Sequence, residues 1–121
     1  MTRQQKWATT AFEAVRRVAD KKEAASEKKY ATRCMKMPSL LLRSGLVQST
    51  AFVLGRDDKA ETQYLDDFAK AIGYSDGRAL DGEARKANLE VYLRLSRDAV
   101  EVATWFRRFA QTELDADEAG S

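Results

Sequence analysis

Three basic residues that recur at helical spacing are the side chains best suited to chemistry. Lys29, Arg33 and Lys36 follow one another at intervals of four and three, which places side chains on one face of a helix. They would span ~10 Å, enough to meet two or so successive phosphates of one nucleic-acid strand. Such contacts are independent of base sequence and weaken with salt. The stripe therefore predicts a phosphate-binding face, although composition alone favours a merely solvated helix surface.

Further basic residues enlarge this face if the first helices cross suitably. Residues 1–56 carry 12 Lys and Arg against 4 Asp and Glu, whereas residues 57–121 carry 9 against 15. Such asymmetry points to a nucleic-acid partner and equally to head-to-tail contact between identical chains. The predicted RNA-binding residues are Lys29, Arg33, Lys36, Arg43, Arg16 and Arg17.

Catalytic and metal-binding residues are poorly represented. The chain has no histidine, the most common general acid or base and a common metal ligand. Cys34, the single cysteine, is expected to be a small buried thiol. Asp57 with Glu61, or Asp66 with Asp67, could bind Mg²⁺ or Mn²⁺, but acids near a helix start are better explained by the helix dipole. We expect no catalytic residue, no metal site and no cofactor.

Local signals divide the chain into helices, beginning at the N-terminus. Thr2 followed by Gln5 fits a capping box. The apolar stripe of the first helix fades across residues 20–29, where we predict a turn with Ser26 as the N-cap of the next helix. One continuous helix to Met37 remains an alternative.

The chain's one proline predicts a helix boundary. Pro38 should end the second helix at or before Met37 and open a short helical segment over residues 38–43. Gly45 is expected to close that segment in a left-handed conformation. The following run is apolar almost all round and ends at Gly55, so it predicts a buried helix.

The second half predicts two more helices separated by a loop. Asp58 and Glu61 mark the start of a helix that ends at Gly73. Two Asp-Gly pairs predict a loop between residues 74 and 83. A long last helix then covers residues 83–114, with Tyr92, Leu95, Ala99, Val102, Phe106 and Phe109 facing inward and Leu89, Val91, Leu93 and Trp105 widening that face. The aromatic residues predicted to lie in the core are Trp7, Phe12, Phe52, Phe68, Phe106 and Phe109.

These elements predict an all-α fold, a compact bundle of five to six helices with a long C-terminal helix. Residues 1–114 form one helical domain, and the acidic residues 115–121 are expected to be a disordered tail. No apolar run approaches the ~20 residues that span a bilayer, and no secretory signal is recognisable. A single cysteine and these absences predict a cytoplasmic protein that does not contact membranes.

Four short segments of the central stretch match a known signature: Lys29-Tyr30-Ala31, Met37-Pro38-Ser39-Leu40, Ser44-Gly45-Leu46-Val47-Gln48 and Ala51-Phe52. This pattern resembles that of the small-subunit family of the type III-B CRISPR effector, the Cmr RNA-targeting complex. Met37 stands where that family usually has leucine, a substitution of similar volume.

The resemblance implies a structural subunit without enzymatic activity. Several copies would stack head to tail beside the other Cmr subunits and hold target RNA against guide RNA. The positions that match the family motif are Lys29, Tyr30, Pro38, Gly45, Leu46, Gln48 and Phe52. Among these, RNA-backbone contact is assigned to Lys29, while the other predicted RNA-binding residues are inferred from charge and spacing.

Two other functions remain open at the level of sequence. A small helical adaptor would bind only protein, through its apolar faces and asymmetric charge. A carboxylate-metal nuclease would depend on Asp57 or Asp66.

Overall fold

Six helices make up the regular structure of residues 1–116, the part of the chain that the computed structural model describes. They are α1 (Arg3–Lys21), α2 (Ala24–Ser44), α3 (Leu46–Gly55), α4 (Lys59–Ile72), α5 (Gly77–Lys86) and α6 (Leu89–Glu113). The all-α prediction, with a long C-terminal helix, is confirmed. Within these residues no helix combines the length and apolar character needed to cross a bilayer. The predicted tail lies outside the described residues, except for Asp115 and the buried Ala116.

The N-terminal cap and the first turn confirm the local signals. Thr2 Oγ1 accepts the Gln5 N–H at 3.1 Å, and the Thr2 N–H donates to Gln5 Oε1 at 2.8 Å. Helix α1 ends at Lys21, and its C-cap, Lys22, has a left-handed conformation with φ 55°. The choice of Ser26 as the next N-cap was wrong, because extended backbone at Glu23 starts α2 earlier and leaves Ser26 inside it.

Helix α2 is continuous through Pro38, so the predicted boundary at Met37 was wrong. A proline inside a helix removes one hydrogen bond, to the carbonyl four residues earlier, and costs ~3 kcal/mol. The buried side chains of Met37 and Leu41 on either side of it pack into the core and offset that cost. One turn before the proline, Arg107 Nη1 of α6 donates to the Met35 carbonyl at 2.6 Å.

The predicted loop between residues 74 and 83 is largely helix α5. Asp76 caps this helix, because its Oδ1 accepts the Ala79 N–H at 2.9 Å. The first Asp-Gly pair therefore marks a helix start rather than a turn between helices. Helix α6 begins at Leu89, capped by Asn88 Oδ1 on the Val91 N–H at 3.0 Å, and the prediction of a start near residue 83 was wrong.

Helix α6 packs against α1, α2 and α4. It runs parallel to α1, since contacts advance together along both helices, from Arg3–Asp98 to Arg16–Glu113. Four buried rings from three helices, with centroids 5.3–6.4 Å apart, fill the space between α2, α4 and α6. They belong to Tyr30, Tyr64, Phe68 and Phe106. Aromatic pairs of this kind each contribute ~0.5–1.5 kcal/mol beyond area burial.

Several apolar side chains predicted to face inward are exposed. Phe12 is 39% exposed and Phe52 is 47% exposed, so their assignment to the core was wrong. Leu89 and Leu93, in the first two turns of α6, are also exposed. The buried residues of α3 are Leu46, Ser49, Thr50 and Val53. At ~100° per residue, Phe52 lies outside the face that they form.

Candidate nucleic-acid interface

Helices α2, α3, the start of α4 and Arg107 of α6 line an open groove of about 1090 Å³. Its acidic residues are Asp58 and Glu61. Its basic residues are Lys28, Lys29, Arg33, Lys36, Arg43, Arg56 and Arg107. With seven cationic and two anionic side chains the lining carries a net charge of +5, and a concave surface of one charge sign concentrates ions of the opposite sign.

Helix α2 supplies the long wall of the groove. Tyr30, Cys34 and Met37 are buried on one side of this helix, as their spacing predicts. Lys29, Lys36 and Arg43 lie on the other side, where all three are exposed and line the groove. Successive members are seven residues apart, which is ~10 Å along the axis. These three cations therefore form a row of exposed charges along one edge.

Arg33 occupies a different position from the rest of the predicted stripe. Its side chain is 7% exposed, and both Nε and Nη2 lie 2.8 Å from Glu61 Oε1. The helical geometry explains this, because Arg33 lies ~40° from Lys29 toward the packed face. Arg33 borders the groove, but its guanidinium is held by a buried carboxylate.

Glu61 joins two arginines at the floor of the groove. Its second oxygen, Oε2, accepts from Arg56 Nε at 2.6 Å. This hydrogen bond, together with the charge of Glu61, raises the pKa of Arg56, whose side chain is half exposed. Arg56 and Arg107 were not among the predicted RNA-binding residues, and no local signal marks Arg107, which lies in α6 far along the chain.

Lys29 and Asp58 form an ion pair at the start of α4. Lys29 Nζ lies 3.0 Å from Asp58 Oδ2. Asp58 also caps α4 by accepting the N–H groups of Ala60 and Glu61. The hydrogen bond from Lys29 and these backbone donors hold the pKa of Asp58 below its usual value. Lys29 keeps most of its side chain exposed and so remains accessible from the groove.

The structure does not bring Arg16 and Arg17 into the groove. Both belong to α1, and neither is among the groove-lining residues. Arg16 pairs with Asp20 at 2.7 Å and with Glu113 at 3.1 Å. Arg17 lies on the surface of α1. Four of the six predicted residues therefore share one surface, and two lie elsewhere.

Phe52 contributes an exposed aromatic ring to the groove. Its centroid lies 5.4 Å from Arg33 Cζ and 5.7 Å from Arg56 Cζ. Arg56 follows Phe52 by four residues, a spacing that places the two side chains on one helix face and that can be recognised in the sequence. Phe52 was nevertheless assigned to the core, because α3 is apolar almost all round.

Three of the four carboxylates considered as metal ligands have structural partners, and those of Glu61 are the two arginines described above. Asp66 Oδ1 accepts the Gly77 N–H at 2.8 Å. Buried Asp67 accepts from Tyr30 Oη at 2.7 Å and from Gln63 Nε2 at 2.9 Å. Among residues 1–116 no group of three or more Cys, Asp or Glu side chains is placed to hold a metal ion.

Cys34 is completely buried, close to Asp67. Burial is the main cause that raises the pKa of its thiol, and the nearby Asp67 charge adds to the effect. The prediction of a buried, structural thiol is confirmed. A thiol held protonated in this way is a poor nucleophile.

Comparison with known proteins agrees with the fold and the signature. The family described as CRISPR-associated protein (Cas_Cmr5) matches residues 3–113. The "CRISPR system Cmr subunit Cmr5" of Thermus thermophilus is 42% identical over 114 residues, which are 94% of this chain and 97% of that protein.

A solved structure extends the match to three dimensions. It is the X-ray crystal structure of a CRISPR-associated Cmr5 family protein from Thermus thermophilus, with a TM-score of 0.85 and 38% sequence identity. The match covers 94% of this chain and 98% of that chain. Sequence and fold agree over nearly the whole length, and this chain belongs to the Cmr5 family of CRISPR-associated proteins, the small-subunit family of type III-B systems.

Proposed function

We propose that this protein is a non-catalytic structural subunit of a type III-B CRISPR RNA-targeting complex, and that its basic groove contacts the backbone of guide or target RNA. The observation that carries the proposal is the groove's net charge of +5 on a Cmr5-family fold. The Thermus relative is named as a Cmr subunit, and we extend that assembly with other Cmr subunits to this chain. On this proposal the protein is located in the cytoplasm, together with the RNA that it contacts.

The exposed row on α2 is suited to phosphate. Lys29, Lys36 and Arg43 can each offer charge-assisted hydrogen bonds to phosphate oxygens. Contacts of this kind position a strand without reading its bases, as a subunit serving many guide sequences requires. The absence of histidine and the structural roles of Asp66 and Asp67 support a role without catalysis.

We also propose that several copies stack within the complex, as the family resemblance implies. The charge asymmetry between the two halves of the chain supports this stacking less strongly than the sequence alone suggests. Five of the seven ion pairs among the described residues join residues 1–56 to residues 57–116, so much of that asymmetry is satisfied within one chain. Leu42, Leu89 and Leu93 are 52–74% exposed and are better candidates for protein contact, because the free energy gained on burial grows with the apolar area removed from water.

The test is RNA retention by complexes carrying a charge-reversed groove. The tagged chain, with Lys36→Glu and Arg43→Glu, is purified gently from its native cells and the retained RNA is sequenced. The matched control, Lys70→Glu with Lys86→Glu, makes the same charge change at exposed residues of α4 and α5 outside the groove. We expect the groove variant to lose RNA and to reduce the salt slope of binding by about 1.4, for two single-strand phosphate contacts.

Equal RNA retention by the groove variant and the control would contradict the proposal. A helical adaptor that binds only protein predicts instead that protein partners co-purify without short RNA, in the wild type and in both variants. Subunit partners without stacking would appear as a single copy of this chain per complex by native mass spectrometry.

A further inference from the structure

An exposed phenylalanine within a charged groove requires a reason. Phe52 is 47% exposed and lines the same groove as the row of cations on α2. Leaving a ring of this size in water forgoes the stabilisation of burying it. The surrounding charges make the groove a poor match for a purely apolar partner.

The ring is held by a rigid support. The guanidiniums of Arg33 and Arg56 lie 5.4 Å and 5.7 Å from its centroid, within reach for cation–π attraction. Glu61 fixes both guanidiniums through bonds of 2.6–2.8 Å. Two guanidiniums thus contact the aromatic ring and Glu61 holds both of them in place, and this preorganisation lowers the entropic cost of binding a planar ligand.

Helix α3 itself is anchored on the opposite side. Thr50 Oγ1 donates to Asp81 Oδ1 of α5 at 2.7 Å, and Val53 is completely buried. Phe52 is therefore presented by a fixed helix rather than by a loop, which favours a precise binding surface.

We propose that Phe52 is a stacking platform for one unpaired nucleobase of single-stranded RNA, whose flanking phosphates are bound by the exposed cations of the groove. Every nucleobase offers a π face, so stacking on an aromatic side chain tolerates any sequence. A base must be unpaired to present that face, which selects single-stranded RNA over a duplex. This inference rests on the RNA-binding role proposed above and adds a base contact to a backbone-binding surface.

The test compares the full-length chain with two probes of equal phosphate number, a single-stranded oligoadenosine and the corresponding abasic oligomer. Phe52→Leu removes the ring and keeps an apolar side chain, and Phe52→Trp keeps an aromatic ring. The matched control is Phe12→Leu, which removes an exposed ring on α1, outside the groove. All are measured by fluorescence anisotropy at two salt concentrations.

We expect Phe52→Leu to weaken oligoadenosine binding about 5- to 30-fold, the lower part of the range for a single base stack. Its affinity for the abasic oligomer and its salt slope should equal those of the wild type. Phe52→Trp should retain binding, and Phe12→Leu should change neither probe.

A second pair of variants separates failure of this inference from failure of the RNA-binding role. If Lys36→Glu with Arg43→Glu weakens both probes while Phe52→Leu weakens neither, the groove binds RNA and the stacking inference is wrong. If Phe52→Leu weakens both probes equally, the ring supports the fold and the inference is also wrong. If the wild-type chain binds neither probe, or an acidic peptide occupies the groove in their place, both proposals fall.

Discussion

Replacing Glu61 by glutamine should be one of the most destabilising single substitutions of an ionisable residue in this protein. The side chains of Arg33 and Glu61 are 7% and 8% exposed. Glu61→Gln keeps the shape of the side chain but removes the negative charge that compensates Arg33. Removing one partner of a buried ion pair costs ~3–5 kcal/mol, because the remaining charge stays out of water. The amide oxygen of glutamine can still accept hydrogen bonds from the Arg33 guanidinium, so we expect a cost of about 3 kcal/mol, at the lower end of that range.

Replacing Arg33, the other partner of this ion pair, should destabilise the protein less. Arg33→Met leaves Glu61 with Arg56, whose side chain is half exposed, so the carboxylate retains a partner and some solvent. The double variant should be more stable than Glu61→Gln alone, since replacing both charges removes the uncompensated one. In a double-mutant cycle this appears as a coupling energy of about 2 kcal/mol.

Urea unfolding followed by circular dichroism measures these free energies. Thermal unfolding gives a second measure. With an unfolding entropy of ~2.1 cal/mol/K per residue, a loss of about 3 kcal/mol lowers the melting temperature of this 121-residue chain by about 12 °C. The control is Arg85→Met, which breaks the pair between a 61% exposed arginine and Asp81; Asp81 keeps its hydrogen bond from Thr50, so the change should cost no more than ~1 kcal/mol. An unfolding free energy of Glu61→Gln within about 1 kcal/mol of the wild-type value would contradict this prediction, and so would a larger loss of stability in Arg33→Met than in Glu61→Gln.

Two further predictions concern the core. A Cβ at Gly77 would lie 2.8 Å from Leu65 Cγ and Cδ2, so Gly77→Ala should destabilise the protein by ~1–3 kcal/mol, whereas Gly82→Ala, whose Cβ would be 3.8 Å from Arg85 Nη2, should stabilise α5 by ~0.5–1 kcal/mol; urea midpoints in the opposite order would contradict this. Burial raises the pKa of Tyr30, Tyr64 and Cys34 above their unfolded values. Their contribution to stability is therefore complete below the unfolded values and is lost as pH rises above about 8.5 for the thiol and 10 for the phenols. Reaction of Cys34 with a thiol reagent, and tyrosinate absorbance from the two buried rings, should appear only with unfolding, and a fast reaction of the native thiol would count against a buried thiol.

Features that depend on neighbouring residues alone could be predicted from the sequence. The capping box at Thr2 depends on residues adjacent in the chain, so it was readable directly. The periodicity of Tyr30, Cys34 and Met37 identified the packed face of α2, because apolar side chains at helical spacing must share a face. The signature around Pro38 and Phe52 identified the family, as the comparisons confirm.

Local signals failed where a distant part of the chain decided the outcome. Pro38 normally marks a boundary, but the core contacts of its neighbours and the Arg107 bond to the Met35 carbonyl keep α2 intact. The second Asp-Gly pair lies inside α5 for a similar reason, since Leu80 and Ala84 are buried in the core. In each case packing energy exceeded a local preference of a few kcal/mol at most.

The candidate site shows the same division most clearly. Spacing predicted a row of cations on α2, and charge counts predicted a basic surface. Only the tertiary structure decided that Arg33 is neutralised by Glu61, that Arg56 and Arg107 join the groove, and that the ring of Phe52 faces solvent. The physical reason is that charge and periodicity are properties of one helix, whereas burial and ion pairing depend on which other helix lies against it.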